Sequence, residues 1–463
     1  MIKGYFRAGK VLKRFACALV ACVLALSVCF AATACGGAAD MTEDGRYIIR
    51  LAHWDQGGRE AEEAPLALIK AEFERTHPDY CLEYEIYSGY ESQFLNIMGS
   101  GKIPDVFLVP DGDFGAWVTT GLMENLTPYI EASPNKEEIG EIFETAMERY
   151  RYDGTTIGEG NQYCMPKDIG PYVMYYNVDL FKQFGIYEEY KSYLEGTEVM
   201  DIETAIDMWS AFADLDAKGE PTANHIYGID GITIEGLAWS NGADWFNEDR
   251  TELTLAGNAK LQEAYEMFRD LYNLKIAPDA DSGAGITLFY NGKSACYVGL
   301  RANVPNLRTN CEFEWNCCAI PAFSTAPKVN SWSGSVGYGV YSGSKLKQAA
   351  YELCELIASK KGQLLMASTG FSIPFYGDEE TLEAFYETES QGAPANTAAF
   401  IEAAKYQRAN RLTYLPGSYR WKTQMDLEYE SVSEDGMDVG LWLESLQSTI
   451  GNILKTDYPA IFG

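Results

Sequence analysis

Gly292-Lys293-Ser294 has the residue types of a phosphate-binding loop, but that loop needs a glycine where Thr287 stands. No Gly-x-Gly-x-x-Gly follows a strand, and no Gly-x-Ser-x-Gly nucleophile elbow occurs. His53, His77 and His225 are isolated in the sequence, which excludes His-Glu-x-x-His metalloprotease chemistry; His77, ahead of Pro78, reads as a helix terminus. Asp279-Ala280-Asp281-Ser282-Gly283 opens like a calcium loop, but its twelfth position is Tyr290 rather than Glu. No metal site and no cofactor are expected. What remains is an abundance of acids and aromatics: 67 Asp and Glu, 31 Tyr, 21 Phe and 9 Trp. Two carboxylates suffice for glycoside hydrolysis, yet with so many acids a pair can be drawn anywhere, so no enzyme signature stands out. Aromatic faces with carboxylates, amides and arginines also suit a site that only binds a sugar. The rings stack on C–H faces and the polar groups take hydroxyls in bidentate hydrogen bonds.

Such groups act only where the backbone sets them. The chain has 463 residues, 47% of them hydrophobic and 22% charged, a globular composition. Its net charge of −31 argues against a general nucleic-acid binder and against docking on anionic lipid. Tyr47 to Leu51 reads as a first strand, Arg59 to His77 as a helix closed by Pro78, and Leu82 to Ile86 as a second strand. Glu91 to Met98 reads as a short helix, and Asp105 to Val109 as a continuous apolar strand of a covered parallel sheet. This β-α-β-α-β order predicts an open α/β sheet. The α/β pattern continues with strands at Val173 to Asn177, Tyr227 to Gly231, Ala295 to Gly299 and Ala319-Ile320. Helices are expected at Val178 to Phe184, Ile202 to Asp216, Asn258 to Leu274, Lys345 to Ala358 and Thr381 to Glu389. Two more are expected over Trp421 to Ile453, broken near Gly436 and Gly440.

The first 34 residues stand apart. Lys3, Arg7, Lys10, Lys13 and Arg14 precede 20 uncharged residues from Phe15 to Ala34, the pattern of an export signal. Ala32-Thr33-Ala34-Cys35-Gly36-Gly37 resembles a bacterial lipoprotein cleavage box, which implies lipidation at Cys35; an uncleaved anchor helix is the alternative. Removing the five basic residues of the leader takes the net charge from −31 to −36. Seven cysteines follow Cys35, an odd number; Cys311 is placed to bridge to Cys317 or Cys318, and small buried thiols are the plainer reading.

Gly101-Lys102-Ile103-Pro104-Asp105-Val106, Gly121-Leu122-Met123-Glu124-Asn125-Leu126-Thr127-Pro128 and Tyr163-Cys164-Met165-Pro166 begin an ordered series. It continues through Tyr175-Tyr176-Asn177-Val178-Asp179-Leu180-Phe181, Tyr227-Gly228-Ile229, Phe289-Tyr290-Asn291-Gly292-Lys293-Ser294-Ala295 and Ala319-Ile320-Pro321. This order resembles the extracellular solute-binding proteins of ABC importers, the family that includes maltose-binding protein, over about residues 47 to 430. The resemblance implies a two-lobed α/β fold of the periplasmic-binding-protein type, with a ligand cleft between interwoven lobes. The implied division is a signal peptide 1–34, a tether 35–45, lobe one at 46–168 and 335–415, and lobe two at 169–334 and 416–463. The motif residues themselves read as fold determinants rather than ligand contacts.

The implied function is an extracytoplasmic, lipid-anchored carbohydrate binder of Gram-positive type, not an enzyme. It would close its lobes on a sugar, most simply an oligosaccharide, and deliver it as a monomer to the transmembrane subunits of a permease. Its only membrane contact would be the lipid, and it would bind no nucleic acid. Expected ligand-binding residues are Trp54 and Asp55 after the first strand, Asp111 and Asp113 after the Asp105 strand, and Asp168 at the first crossover. Further along stand Glu235 and Trp239, Arg301, Trp332 near the second crossover, and Trp421, where sugar-binding relatives carry a stacking aromatic. The rival readings are a binder of a polyamine, peptide or phosphate ester, and a secreted glycoside hydrolase.

Overall fold

The computed structural model describes residues 39–463 apart from 56–58, 280–284, 325–326, 328, 370–372, 390–391, 393, 405–406, 409–414, 416–419, 430–431 and 433–435. The leader 1–34 and Cys35 therefore lie outside the described residues, as do Gln56 to Gly58 and Pro416-Gly417. Its strands are β1 (Tyr47–Trp54), β2 (Tyr80–Tyr87), β3 (Val106–Pro110), β4 (Arg151–Tyr152), β5 (Asn161–Gln162), β6 (Cys164–Pro166) and β7 (Gly170–Asn177). They continue with β8 (Tyr227–Asp230), β9 (Ser294–Leu300), β10 (Trp315–Cys318), β11 (Ser331–Gly334), β12 (Val336–Val340) and β13 (Gln407–Arg408).

The chain divides into two compact units, the described part of the first being residues 39–48 with 78–81. Its described part is a turn in which Arg46 O accepts from Thr42 N and Asp40 O from Ile48 N, with Tyr47 N donating to Asp79 O. The stretch read as a tether thus carries a hydrogen-bonded turn from Asp40 onward.

The second unit, 49–77 with 82–463, holds two main sheets. One has the order β2-β1-β3-β12-β6; the other runs β13-β11-β7-β9-β8, with β10 also on β7. The chain passes from the first sheet to the second between Pro166 and Gly170 and returns between Gly334 and Val336. These crossing segments run side by side, Gly334 opposite Gly170 and Ser333 opposite Pro171. The expected parallel sheet is mixed: β3 pairs with β1 in parallel but with β12 antiparallel, because the returning chain enters between β3 and β6. The strand expected at Ala319-Ile320 lies earlier, at Trp315 to Cys318, antiparallel to β7. The helix expected over Ile202 to Asp216 ends at Ser210. The last helix before β13, Ala398–Ala404, packs on β7, and Asn396 bonds to Cys317 O, so the chain has returned to the second sheet ahead of position 415.

The motifs that carry the family resemblance build these elements. Gly101, at φ 70°, ends the helix Tyr90–Ser100 in the left-handed conformation that glycine adopts without strain. Asp105 accepts from Arg50 N at 3.0 Å and from Ser344 Oγ at 2.6 Å, fastening β3 to its neighbours. Asn177 caps the helix Val178–Gln183 by accepting from Leu180 N at 3.0 Å. The second sheet's core includes Trp209, Trp245, Trp421 and Trp442, all buried, together with residues from 174 to 458. Cys311 is a free thiol, so the bridge considered for it is not formed. Among the described residues, no helix is long and apolar enough to cross a membrane.

Gly228 shows how closely these elements are fitted. A Cβ added there would stand 2.4 Å from Trp209 Cβ and 2.7 Å from Trp209 O. Gly228→Ala should therefore overpack the junction of β8 with the helix Ile202–Ser210 and cost about 2 kcal/mol. Chemical denaturation would read this as a lower midpoint at unchanged slope; an unchanged midpoint would contradict the packing.

Candidate ligand cleft

The carboxyl ends of β1 and β3 lie together. Leu51 pairs with Val106 and Ala52 with Phe107, so continuing the register sets Trp54 level with Val109 and Asp55 with Pro110. Val336 faces Pro110 across the next ladder, and Lys167 N donates to Val336 O at 2.8 Å. One edge of the first sheet therefore presents Trp54, Asp55, Asp111, Ser335 and Asp168 beside both crossings. Ligands of open α/β sheets bind at such an edge.

Asp111 opens the helix Asp111–Val118 and is held by a residue the sequence did not disclose. Arg149, with no exposed side-chain surface, donates from Nη1 to Asp111 Oδ2 at 3.0 Å. It also donates to Ser333 O at 2.8 Å, to Ser333 Oγ at 2.7 Å and to Thr145 O at 2.9 Å. It thereby joins the first-sheet edge to β11. Burial pushes the Asp111 carboxyl up to about 6, with the Arg149 guanidinium pulling the other way. Asp113, two residues on, is half-buried and also raised, first by burial and then by Glu91.

Asp168 is fixed from behind by a buried chain of polar groups. Lys167 Nζ lies 3.2 Å from Asp168 Oδ2 and 3.8 Å from Glu62 Oε2. Glu62 in turn meets His53 Nε2 at 2.8 Å, and His53 Nδ1 meets the Tyr338 hydroxyl at 2.9 Å. A carboxylate only accepts, so Nε2 carries the proton and Nδ1 accepts from Tyr338. Burial pulls the His53 pKa down, and neighbouring Lys167 does the same against Glu62. Burial also pulls Lys167 down, but Asp168 and Glu62 outweigh it and the ammonium stays charged. His53 is isolated in sequence but not in space.

The second sheet contributes an aromatic cluster at β11. Trp332 is partly buried and packs on Tyr172 with centroids 5.0 Å apart. The Trp239 ring meets it edge-on at 6.3 Å. Over Trp239 lies the guanidinium of Arg408, 4.6 Å from the ring centroid and bonded to Asp244 Oδ2 at 2.6 Å. Arg408 stands opposite Trp332 in the β11–β13 ladder. Trp239 is thus covered by an arginine rather than open as a stacking wall.

Three expected residues do not reach this edge. Glu235 is fully buried on the helix Ile234–Ser240, beside Lys422 Nζ at 3.4 Å. Arg301 is buried between the rings of Phe385 and Phe400, at 6.0 and 5.9 Å. Trp421 is fully buried, its ring edge-on to Phe246 at 5.1 Å, in the core beneath the second sheet. Its helix, Arg420–Glu428, turns that side inward to fill the core.

Replacing Arg149 by Ala would leave Asp111 and Ser333 without their buried partner, and should cost roughly 3–5 kcal/mol. In the intact protein, the carboxyl carbon of Asp111 should titrate near 6 by NMR, and Arg149→Gln should move it higher. The folded pKa lies above the unfolded value of about 3.9. The stability that Asp111 contributes is therefore complete below about 4 and lost as pH rises through about 6. A midpoint near 4 would contradict the desolvation.

Known proteins agree with this architecture. Residues 58–364 match the family described as bacterial extracellular solute-binding protein. A lactose-binding protein of Rhizobium radiobacter is 24% identical over 372 residues, covering 72% of this chain and 82% of its own. An ABC substrate-binding protein from Listeria monocytogenes, solved with cycloalternan, superposes with a TM-score of 0.66 at 20% identity, covering 88% of this chain and 98% of its own. The sugar-binding protein MalE from Xanthomonas citri gives a TM-score of 0.63 at 17% identity, covering 88% of this chain and 98% of its own. The fold is accordingly the two-lobed α/β arrangement with a cleft between interwoven lobes. Its family places the chain on the extracytoplasmic side, and the matched relatives are binding proteins rather than enzymes. The chain belongs to the bacterial extracellular solute-binding proteins of ABC importers.

Proposed function

We propose that this protein binds a carbohydrate, most simply an oligosaccharide, between its lobes and delivers it to a membrane permease. The observation that carries the reading is the partly buried Trp332, packed on Tyr172 in β11, the strand whose next residue, Ser333, is bonded to the Arg149 that holds the Asp111 carboxylate. An aromatic face with carboxylates alongside matches the C–H faces and hydroxyls of a sugar ring. The lactose-binding relative and the cycloalternan complex support the same class. Lobe one would comprise the first sheet, to Asp168 and again from Ser335; lobe two would comprise the second sheet, rejoined before Asn396 and kept to the C-terminus. Cys35 would carry the lipid that tethers a monomer to the outer face of a Gram-positive-type membrane. No bond is made or broken: the ligand touches both lobes only when they close, and its differential affinity shifts that equilibrium.

Thermal unfolding against a panel of mono- and oligosaccharides, with polyamines, peptides, phosphate esters and metals as controls, tests this. A ligand at 100 times its Kd should stabilise by roughly 2.7 kcal/mol, a shift of a few degrees. One sugar class should give the shift without being turned over. A shift with a control alone would overturn the carbohydrate assignment, and turnover would restore the glycosidase reading. Trp332→Ala should weaken the stabilising sugar about tenfold, the size of one lost aromatic contact of roughly 1.4 kcal/mol.

A further inference from the structure

Beyond Trp239, on the far side of Arg408, lies a polar hollow of about 510 Å³. Asp244, Asn247, Glu248, Arg250, Asn258 and Arg408 line it. Its volume falls within the roughly 300–1,000 Å³ of small-molecule sites. Its charges balance, two carboxylates against two guanidiniums, and Asp244 neutralises Arg408 directly at 2.6 Å. Such a lining favours neither an anion nor a cation. It offers fixed donors and acceptors together, which is what a ring of hydroxyls matches, each hydroxyl being donor and acceptor at once.

The hollow is a built feature. The Arg408 guanidinium lies over Trp239, 4.6 Å from the ring centroid, and is bonded to Asp244, so its position is set before a ligand arrives. Arg250 has a backbone φ of 58°, a left-handed conformation that costs a non-glycine residue energy. Asn247 sustains that turn by accepting from Thr251 N at 2.8 Å and from Glu252 N at 2.9 Å. Asn258 is held in the same way, donating to Asp244 O and to Thr254 O, each at 3.0 Å. From the other lobe, Gly158 in the β4–β5 loop approaches so closely that a Cβ on it would stand 3.5 Å from Arg250 Nη1. The hollow therefore lies where the two lobes meet. It adjoins the aromatic cluster of the second sheet, since Arg408, which lines it, stands opposite Trp332 in the β11–β13 ladder.

We propose that this hollow is a further sugar subsite, taking a neutral, hydroxyl-rich ring of a ligand that runs past Trp332, with Asp244, Arg250 and Arg408 as its recognition groups. The inference rests on the carbohydrate reading and extends it to ligand length. A ligand filling only the space at Trp332 leaves the hollow to water; one ring more reaches Arg250 and the lobe-one loop that faces it.

The test is isothermal titration of the purified protein and of its Arg250→Ala and Asp244→Asn variants. The probes are glucose with maltose to maltotetraose, cellobiose to cellotetraose, and galactose with lactose. In the series that binds, one added ring should tighten binding at least tenfold. Both variants, folded by their unchanged circular dichroism, should weaken the longer member at least tenfold more than the shorter. Sugars that bind with no gain on lengthening, or variants that weaken long and short members alike, would overturn the subsite and leave the carbohydrate reading standing. Binding of none of these sugars, with a control solute binding instead, would overturn both.

Discussion

Arg149 is the group on which the cleft depends. A guanidinium without exposed surface must meet its donors inside the protein, because burying an unpaired charge costs several kcal/mol. Its partners are Thr145 O, Asp111 and both oxygens of Ser333, drawn from the helical region before β4, the end of β3 and the strand β11. Once those contacts form, the carboxylate edge of the first sheet cannot be placed independently of Trp332, the neighbour of Ser333. The crossing segments reinforce the constraint. Ser335 Oγ donates to Asp168 O at 2.6 Å, and a Cβ on Gly170 would stand 3.3 Å from Gly334 O. The two crossing segments are therefore held in close contact.

Behind that edge, the chain Tyr338–His53–Glu62–Lys167–Asp168 solves a related problem. To serve as the proposed ligand contact, Asp168 must have its carboxylate held from inside. Lys167 supplies the compensating charge, Glu62 balances Lys167, and neutral His53 closes the series against Tyr338. Every member is satisfied, so the network holds one geometry rather than several. Sugar recognition gains from this, since hydroxyls are told apart by where fixed oxygens and nitrogens stand, and a pre-set site pays less to order itself on binding.

The sequence discloses local features well. The apolar run of β3, the glycine ending the helix before it and the asparagine capping Val178–Gln183 each act within a few residues, and each stands where its pattern indicates. The chain passes between the two sheets at Pro166 to Gly170 and at Gly334 to Val336, and Asp168 and Trp332 lie at or beside these passages. Arg149 and Arg408 gave no local signal because their partners are remote: Arg149 reaches Ser333 184 positions away, and Arg408 reaches Asp244 across 164. Trp421 and Glu235 show the converse. A position inherited by resemblance says nothing of burial, and here the Arg420–Glu428 helix needs Trp421 for its core while Glu235 is taken up beside Lys422. The parallel sheet expected around β3 is mixed for a like reason, since β12 enters it after the chain has built most of the second sheet.

The first-sheet edge, the aromatic cluster on the second sheet and the two crossings between them bear on one proposal: that the ligand is held by closing the lobes. Small-angle X-ray scattering of the purified protein, with and without a saturating amount of the sugar that stabilises it most, tests that claim most directly. Lobe closure gives a smaller radius of gyration in the sugar-bound sample; a scattering curve left unchanged by a sugar that calorimetry shows to be bound would rule closure out.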